Sequence, residues 1–141
     1  MTLYALDTDH LSLIHRGHPR IRERLSIVPP EQVTINILTA EEQLRGRLAQ
    51  VSKARSGDAR SVAYRYLRQA INDLSKLRVL DYDEASDRIY QKLMGQRLRV
   101  GSQDLRIAAI TLANKDILVT RNSSDFSKVP HLMLEDWTTR C

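Results

Sequence analysis

Short apolar runs of strand length alternate along this chain with longer stretches of helical periodicity, and that alternation narrows the possible folds most. Leu3–Leu6 is the first such run, and Thr8-Asp9 then offer caps for a helix beginning near His10. Pro29-Pro30 punctuate the chain before Val33–Ile37, a β-branched segment with period-two alternation. Thr39 opens a capping pattern for a helix from Ala40 to about Ala54, which Ser56-Gly57-Asp58 break. Val62–Leu77 reads as a second helix, forming a hairpin with the one before it. A third strand is expected over Leu77–Tyr82, with a helix from Asp83 or Glu84 to about Leu98. Gly101-Ser102 reset the chain and cap a helix over Gln103–Asn114, apolar on nearly every side as a buried helix must be. Ile117–Thr120 is the fourth strand and Leu132–Leu134 a short edge strand. Strands joined through helices imply an α/β fold whose mostly parallel sheet is covered on both faces.

The 141 residues suit a single domain spanning 1–141, with no repeat or low-complexity tract. No apolar run approaches the roughly 20 residues that a membrane-spanning helix needs. The chain runs into Asp7 without a basic leader or small-residue cleavage site, so its start reads as a core strand. The single cysteine, Cys141, excludes an internal disulfide and a cysteine-based zinc site, and fits a reducing cytoplasm. A net charge of +5 favours polyanions such as RNA, DNA or acidic protein segments. Aromatic residues are few, so a nucleic acid would be held mainly through its phosphates.

Four acids fall at related places. Asp7 ends the first strand, and Glu42 lies in the first turn of the helix after the second. Asp104 opens the most apolar helix, and Asp125 follows the fourth strand. Ligands of open parallel sheets bind outside the carboxyl ends of the strands, and right-handed crossovers should bring several of these acids to one edge. Crowded carboxylates repel one another, and a hard divalent cation relieves the repulsion; ligation through oxygen selects Mg²⁺ or Mn²⁺. Such an ion lowers the pKa of bound water and positions it for attack on phosphorus. Three of the acids have a ready ordinary reading: a Thr39-x-x-Glu42 capping box, a helix-dipole partner at Asp104 and a turn residue at Asp125. Asp7 is harder to dismiss, because a charge adjoining a core strand needs a partner. The functional case rests on joint placement.

The chain resembles the PIN-domain ribonucleases and, within them, the VapC toxins of type II toxin–antitoxin modules. The resemblance lies in Asp7-Thr8-Asp9, Thr39–Gly46, Gly101–Ala109, Val119-Thr120-Arg121-Asn122 with Asp125-Phe126 and Val129-Pro130, and Leu134–Trp137. It implies a PIN-like three-layer α/β/α sandwich with a helical hairpin after the second strand. It also implies a magnesium-dependent endoribonuclease of the prokaryotic cytoplasm, acting on structured RNA such as transfer or ribosomal RNA. Asp7, Glu42 and Asp104 match the family's first three metal-binding acids, whereas Glu41 does not match the second. Asn122 stands where many PIN domains carry aspartate, which makes Asp125 the candidate fourth acid, with Asn122 and Thr120 orienting it or a water. The family further implies a homodimer and a VapB-like antitoxin that covers the site.

Other constellations have rival explanations. Asp9 reads as a helix-start cap or a supporting residue behind Asp7. Asp7-Thr8-Asp9 also resembles the opening of haloacid-dehalogenase-like phosphatases, but the paired acids those enzymes need do not directly follow the fourth strand. A receiver domain using Asp81 or Asp83 lacks the adjacent acids expected at the first strand. His10 and His15 are five apart, off one helical face, and read as surface residues. The arginines at 16, 20, 22 and 24 read as solvated surface, and Trp137 as a core plug or dimer contact. Arg45, beside Gly46 and one turn from Glu42, is the candidate phosphate contact. A PIN-like module that binds RNA or protein without cutting, and a DNA nuclease, are the remaining alternatives.

Overall fold

In a computed structural model of the chain, which describes residues 2–139, five short strands build one sheet. They are β1 (Tyr4–Leu6), β2 (Val33–Asn36), β3 (Arg78–Leu80), β4 (Ile117–Val119) and β5 (Met133–Glu135). Their order is β3-β2-β1-β4-β5 and every pairing is parallel, with Tyr4 opposite Val33 on one side and Ile117 on the other. The helices are α1 (Thr8–His15), α2 (Pro19–Ile27), α3 (Ile37–Lys53), α4 (Gly57–Ser75), α5 (Glu84–Gly95), α6 (Ser102–Asn114) and α7 (Ser123–Phe126). Among the described residues, no helix is long and apolar enough to cross a membrane. Cys141 lies outside the described residues.

Side chains alternate across a strand, so each strand feeds two cores. Ala5 and Leu118 join a cluster with Leu93, Leu105, Ile110 and Phe126, under α5, α6 and α7. Their neighbours Leu6 and Val119 join Leu11, Ile21, Val28 and Trp137 on the opposite face. This is the three-layer α/β/α, PIN-like architecture, with the α3–α4 helical hairpin following β2.

Several boundaries differ from expectation for definable reasons. Asn36, not Thr39, caps α3: its side chain accepts the Thr39 N–H at 2.9 Å, so the helix begins at Ile37. The β-branched Ile37 reads as strand in sequence, but the cap turns the chain before it. The capping box at Thr39-x-x-Glu42 therefore does not form, and Glu42 sits in the second turn rather than the first. Likewise α1 starts at Thr8 because Asp7 itself is the cap, which places Asp9 inside the helix. Gly101 occupies the cap position of α6, without a side-chain cap bond, where Ser102 was expected to share that duty. The arginine-rich segment expected to be plain surface is a helix, α2. Pro19 starts it, and Ile21, Leu25 and Val28, at spacings of four and three, pack it onto the core.

Asp116 stands out at the opposite end of β4 from the strand's exit. It is 4% exposed, and its Oδ2 has no hydrogen-bond partner among the described residues. Burial pushes its carboxyl up to about 6, against a smaller opposing pull from Arg78. A carboxyl that holds its proton more tightly folded than unfolded loses stability as pH rises from its unfolded value through its folded one. Compared with Asp116→Asn, the wild-type chain should therefore gain roughly 2 kcal/mol of stability between pH 7.5 and pH 4. Urea unfolding of both proteins at the two pH values measures this, and a pH-independent difference refutes the assignment.

Candidate active site

The strand order runs from β1 outward to β2 and β3 on one side and to β4 and β5 on the other. The gap between the carboxyl ends of β1 and β4 is thus the point where the topology reverses, the usual ligand crevice of such sheets. Asp7 stands at that point. Its backbone N–H extends the ladder to Val119 O at 3.0 Å, and the chain then turns into α1. Asp7 Oδ1 accepts the His10 backbone N–H at 2.9 Å and lies 3.3 Å from His10 Nδ1. The Thr120 hydroxyl donates to the same carboxylate while accepting the Asn122 N–H at 3.0 Å. Burial by itself raises the Asp7 carboxyl, but the bonds from His10 and Thr120 outweigh it and hold Asp7 below the usual carboxylate range.

The other acids arrive from distant segments. Asp104 lies in the first turn of α6, and Glu42 on α3 accepts a hydrogen bond from the Thr8 hydroxyl at 2.6 Å. Asp7, Thr8, Asp9, Glu42, Asp104 and Asn122 line a cavity of about 160 Å³, closed on its apolar side by Ile107 and Phe126. Burial raises the Asp104 carboxyl, and the negative charges of Asp125, Glu42 and Asp7 add to the rise in that order. Four acids separated in sequence therefore share one electrostatic neighbourhood.

The remaining candidates occupy distinct positions. Asp125 does not line the cavity; its carboxylate meets Asn122 Nδ2 at 3.3 Å and Lys128 Nζ at 3.6 Å. Thr120 serves Asp7, whereas Asn122 serves Asp125. Asp9 pairs with Arg121 at 2.6 Å. Arg45 is well exposed and pairs with Glu41 at 2.9 Å, away from the cavity lining. His10 departs most from expectation: it is fully buried against Asp7, not on the surface. The signal that could have found it is its place three residues after a capping aspartate, where the cap's side chain reaches. Trp137 is 1% exposed and plugs the core, its ring 5.5 Å from that of Tyr4.

As the side chains stand, no group of three acids, histidines or cysteines among the described residues converges closely enough to hold an ion. Glu42 is held by Thr8, and Asp125 by Asn122 and Lys128.

No family model matches the sequence. Ribonuclease VapC1 of Haemophilus influenzae strain R2866 is 27% identical to it, covering 96% of this chain and 98% of its own. A chain in the structure of VapBC-1 from nontypeable Haemophilus influenzae superposes with a TM-score of 0.79 at 23% identity, over 98% of this chain and 100% of that one. A chain of DNA-bound VapBC from Salmonella typhimurium gives 0.77 at 27% identity, over 97% and 99%. The chain is VapC-like. The fold match and the sequence match each extend over nearly the whole length of this chain.

The mutual influence of the acids can be read directly. Carbon-detected NMR titration should find the Asp104 carboxyl above the ordinary aspartate range in this VapC-like protein without added metal. Asp125→Asn should bring it down further than Glu42→Gln or Asp7→Asn does. An Asp104 titration unmoved by all three substitutions means that these charges are not neighbours.

Proposed function

We propose that this VapC-like chain is a metal-dependent endoribonuclease toxin, held in check by a VapB-like antitoxin. The observation that carries the reading is the convergence of Asp7, Glu42 and Asp104 on one cavity, in a chain similar end to end to Ribonuclease VapC1. The donor set is all oxygen, and its members repel one another at Asp104; both features suit a hard divalent ion, Mg²⁺ or Mn²⁺. Asp7, Glu42 and Asp104 would hold it, with Asp125 as a fourth acid, after Glu42 leaves Thr8 and Asp125 shifts from Lys128. When bound, such an ion supplies an acidified water and a counter-charge for the phosphate oxygens.

The chain's own residues divide the rest of the work. Thr120 and His10 fix Asp7, Asn122 orients Asp125, and Asp9 anchors Arg121 at the rim. Ile107 and Phe126 keep one wall of the cavity dry, which strengthens charge interactions inside it. The positive exterior draws RNA by its backbone, and Arg45, released from Glu41, takes a phosphate.

The antitoxin reading draws support from VapBC solved structures of matching fold and from a groove of about 700 Å³ lined by Leu6, Leu11, Ile14, Leu25, Val28 and Leu77. Unscreened carboxylates invite a cation, so a basic antitoxin side chain enters the acidic cavity. A single PIN-like unit, acting as a homodimer in the cytoplasm, completes the proposal.

Mapping RNA 5′ ends after induction should reveal new ends with the wild type and none with Asp7→Asn. In vitro, Asp104→Asn or EDTA should each lower cleavage by about 100-fold or more. Cleavage persisting in EDTA defeats the metal mechanism. RNA binding without new ends favours a non-catalytic module, and equal cutting of matched DNA removes the restriction to RNA.

A further inference from the structure

One imidazole is sealed into the wall behind the acidic cavity. His10 has no exposed surface, and its two nitrogens face different partners. The Trp137 backbone N–H donates to Nε2 at 3.1 Å. A backbone amide can only donate, so Nε2 carries the lone pair and the ring proton resides on Nδ1. Nδ1 is the nitrogen 3.3 Å from Asp7 Oδ1. Asp136 Oδ1 also approaches Nε2, at 3.5 Å, but it already accepts the Thr138 N–H at 2.8 Å and the Thr138 hydroxyl at 2.5 Å. A proton on Nε2 would confront the Trp137 N–H head-on.

The element that sets this tautomer is itself fixed. Trp137 is buried, its Nε1 donates to Glu135 Oε1 at 3.0 Å, and the Arg24 guanidinium lies 5.5 Å over its ring. Glu135 ends β5, and Trp137 follows two residues later. A chain of contacts therefore runs from Glu135 of the last strand through Trp137 and His10 to Asp7, 128 residues away in sequence from Glu135.

We propose that His10 is a positioning residue for Asp7: its Nδ1–H, with the tautomer dictated by the Trp137 amide, holds the Asp7 carboxylate in the orientation that binds the divalent ion. The proposal rests on the metal-dependent reading above. Outer partners of this kind tune metal affinity because a ligand free to rotate must be ordered on binding. The competing role is a purely structural one, in which His10 only ties the Trp137 segment to α1.

Two near-isosteric substitutions separate these roles. The amide nitrogen of His10→Asn sits near the place of Nδ1 and keeps a donor to Asp7, while leaving Trp137 N–H without an acceptor. His10→Gln reaches toward Nε2, keeps an acceptor for Trp137 and removes the donor to Asp7. Mn²⁺ affinity of the purified chain, read by electron paramagnetic resonance, should fall about 10-fold or more in His10→Gln and less than about 3-fold in His10→Asn. Melting temperatures run alongside report folding. Equal Mn²⁺ affinity in the wild type and His10→Gln overturns the proposal and leaves the nuclease reading intact. A wild type that binds no Mn²⁺ overturns both. Should His10→Asn fail to fold, ¹⁵N NMR of the wild-type ring decides: a protonated Nδ1 with bare Nε2 supports the proposal, and the reverse tautomer overturns it.

Discussion

Parallel pairing of β1 on both of its edges is the constraint from which the site follows. The strand is three residues long, yet Ala5 and Leu6 are fully enclosed, one in each core. A slip of one residue would exchange those two side chains between faces, so the register is tightly specified. With the register set, Asp7 must emerge between the ends of β2 and β4, beside Thr120 and across from α3. Held by a neighbour on each side, the central strand cannot slide, and its exit point is therefore reproducible.

How much of this is legible in the sequence depends on whether the deciding interaction is local. Every strand is visible as an apolar run, and α6 is visible because Leu105, Ile107, Ala108, Ala109 and Ile110 leave no polar face toward the core. Placing Asp7, Glu42 and Asp104 at one sheet edge needs only the alternation of strands and helices, and the structure lines one cavity with all three. The cap at Asn36 is missed because an asparagine flanked by two isoleucines looks like strand interior; only the turn geometry shows its side chain serving Thr39. The helix α2 is missed because three arginines around Ile21 and Leu25 drown its apolar stripe. His10 is missed for a different reason. Its environment is made by Trp137, 127 positions away, and no local pattern reports a contact of that range. Asp125 falls in between: the sequence places it beyond β4, but Lys128 and Asn122 draw it aside from the cavity.

The charges at this edge are the strongest physical argument for a bound cation, once those with local explanations are set aside. Asp7 caps α1 and sits at the positive end of that helix. Asp104 gains the same benefit in the first turn of α6, though burial and its neighbours still raise it. Asp9 has Arg121, and Asp125 has Lys128. Glu42 has none of these. It lies beyond the first turn of α3, caps nothing, and forms no ion pair among the described residues; its bond is to the Thr8 hydroxyl. A carboxylate in that position adds repulsion at Asp104 without stabilising its own helix. Folding alone gives no reason to keep it there, because glutamine would preserve the bond to Thr8 and remove the repulsion. A ligand that needs the charge gives such a reason, and Glu42 is consequently the residue at which the demands of stability and of the proposed metal site part most clearly.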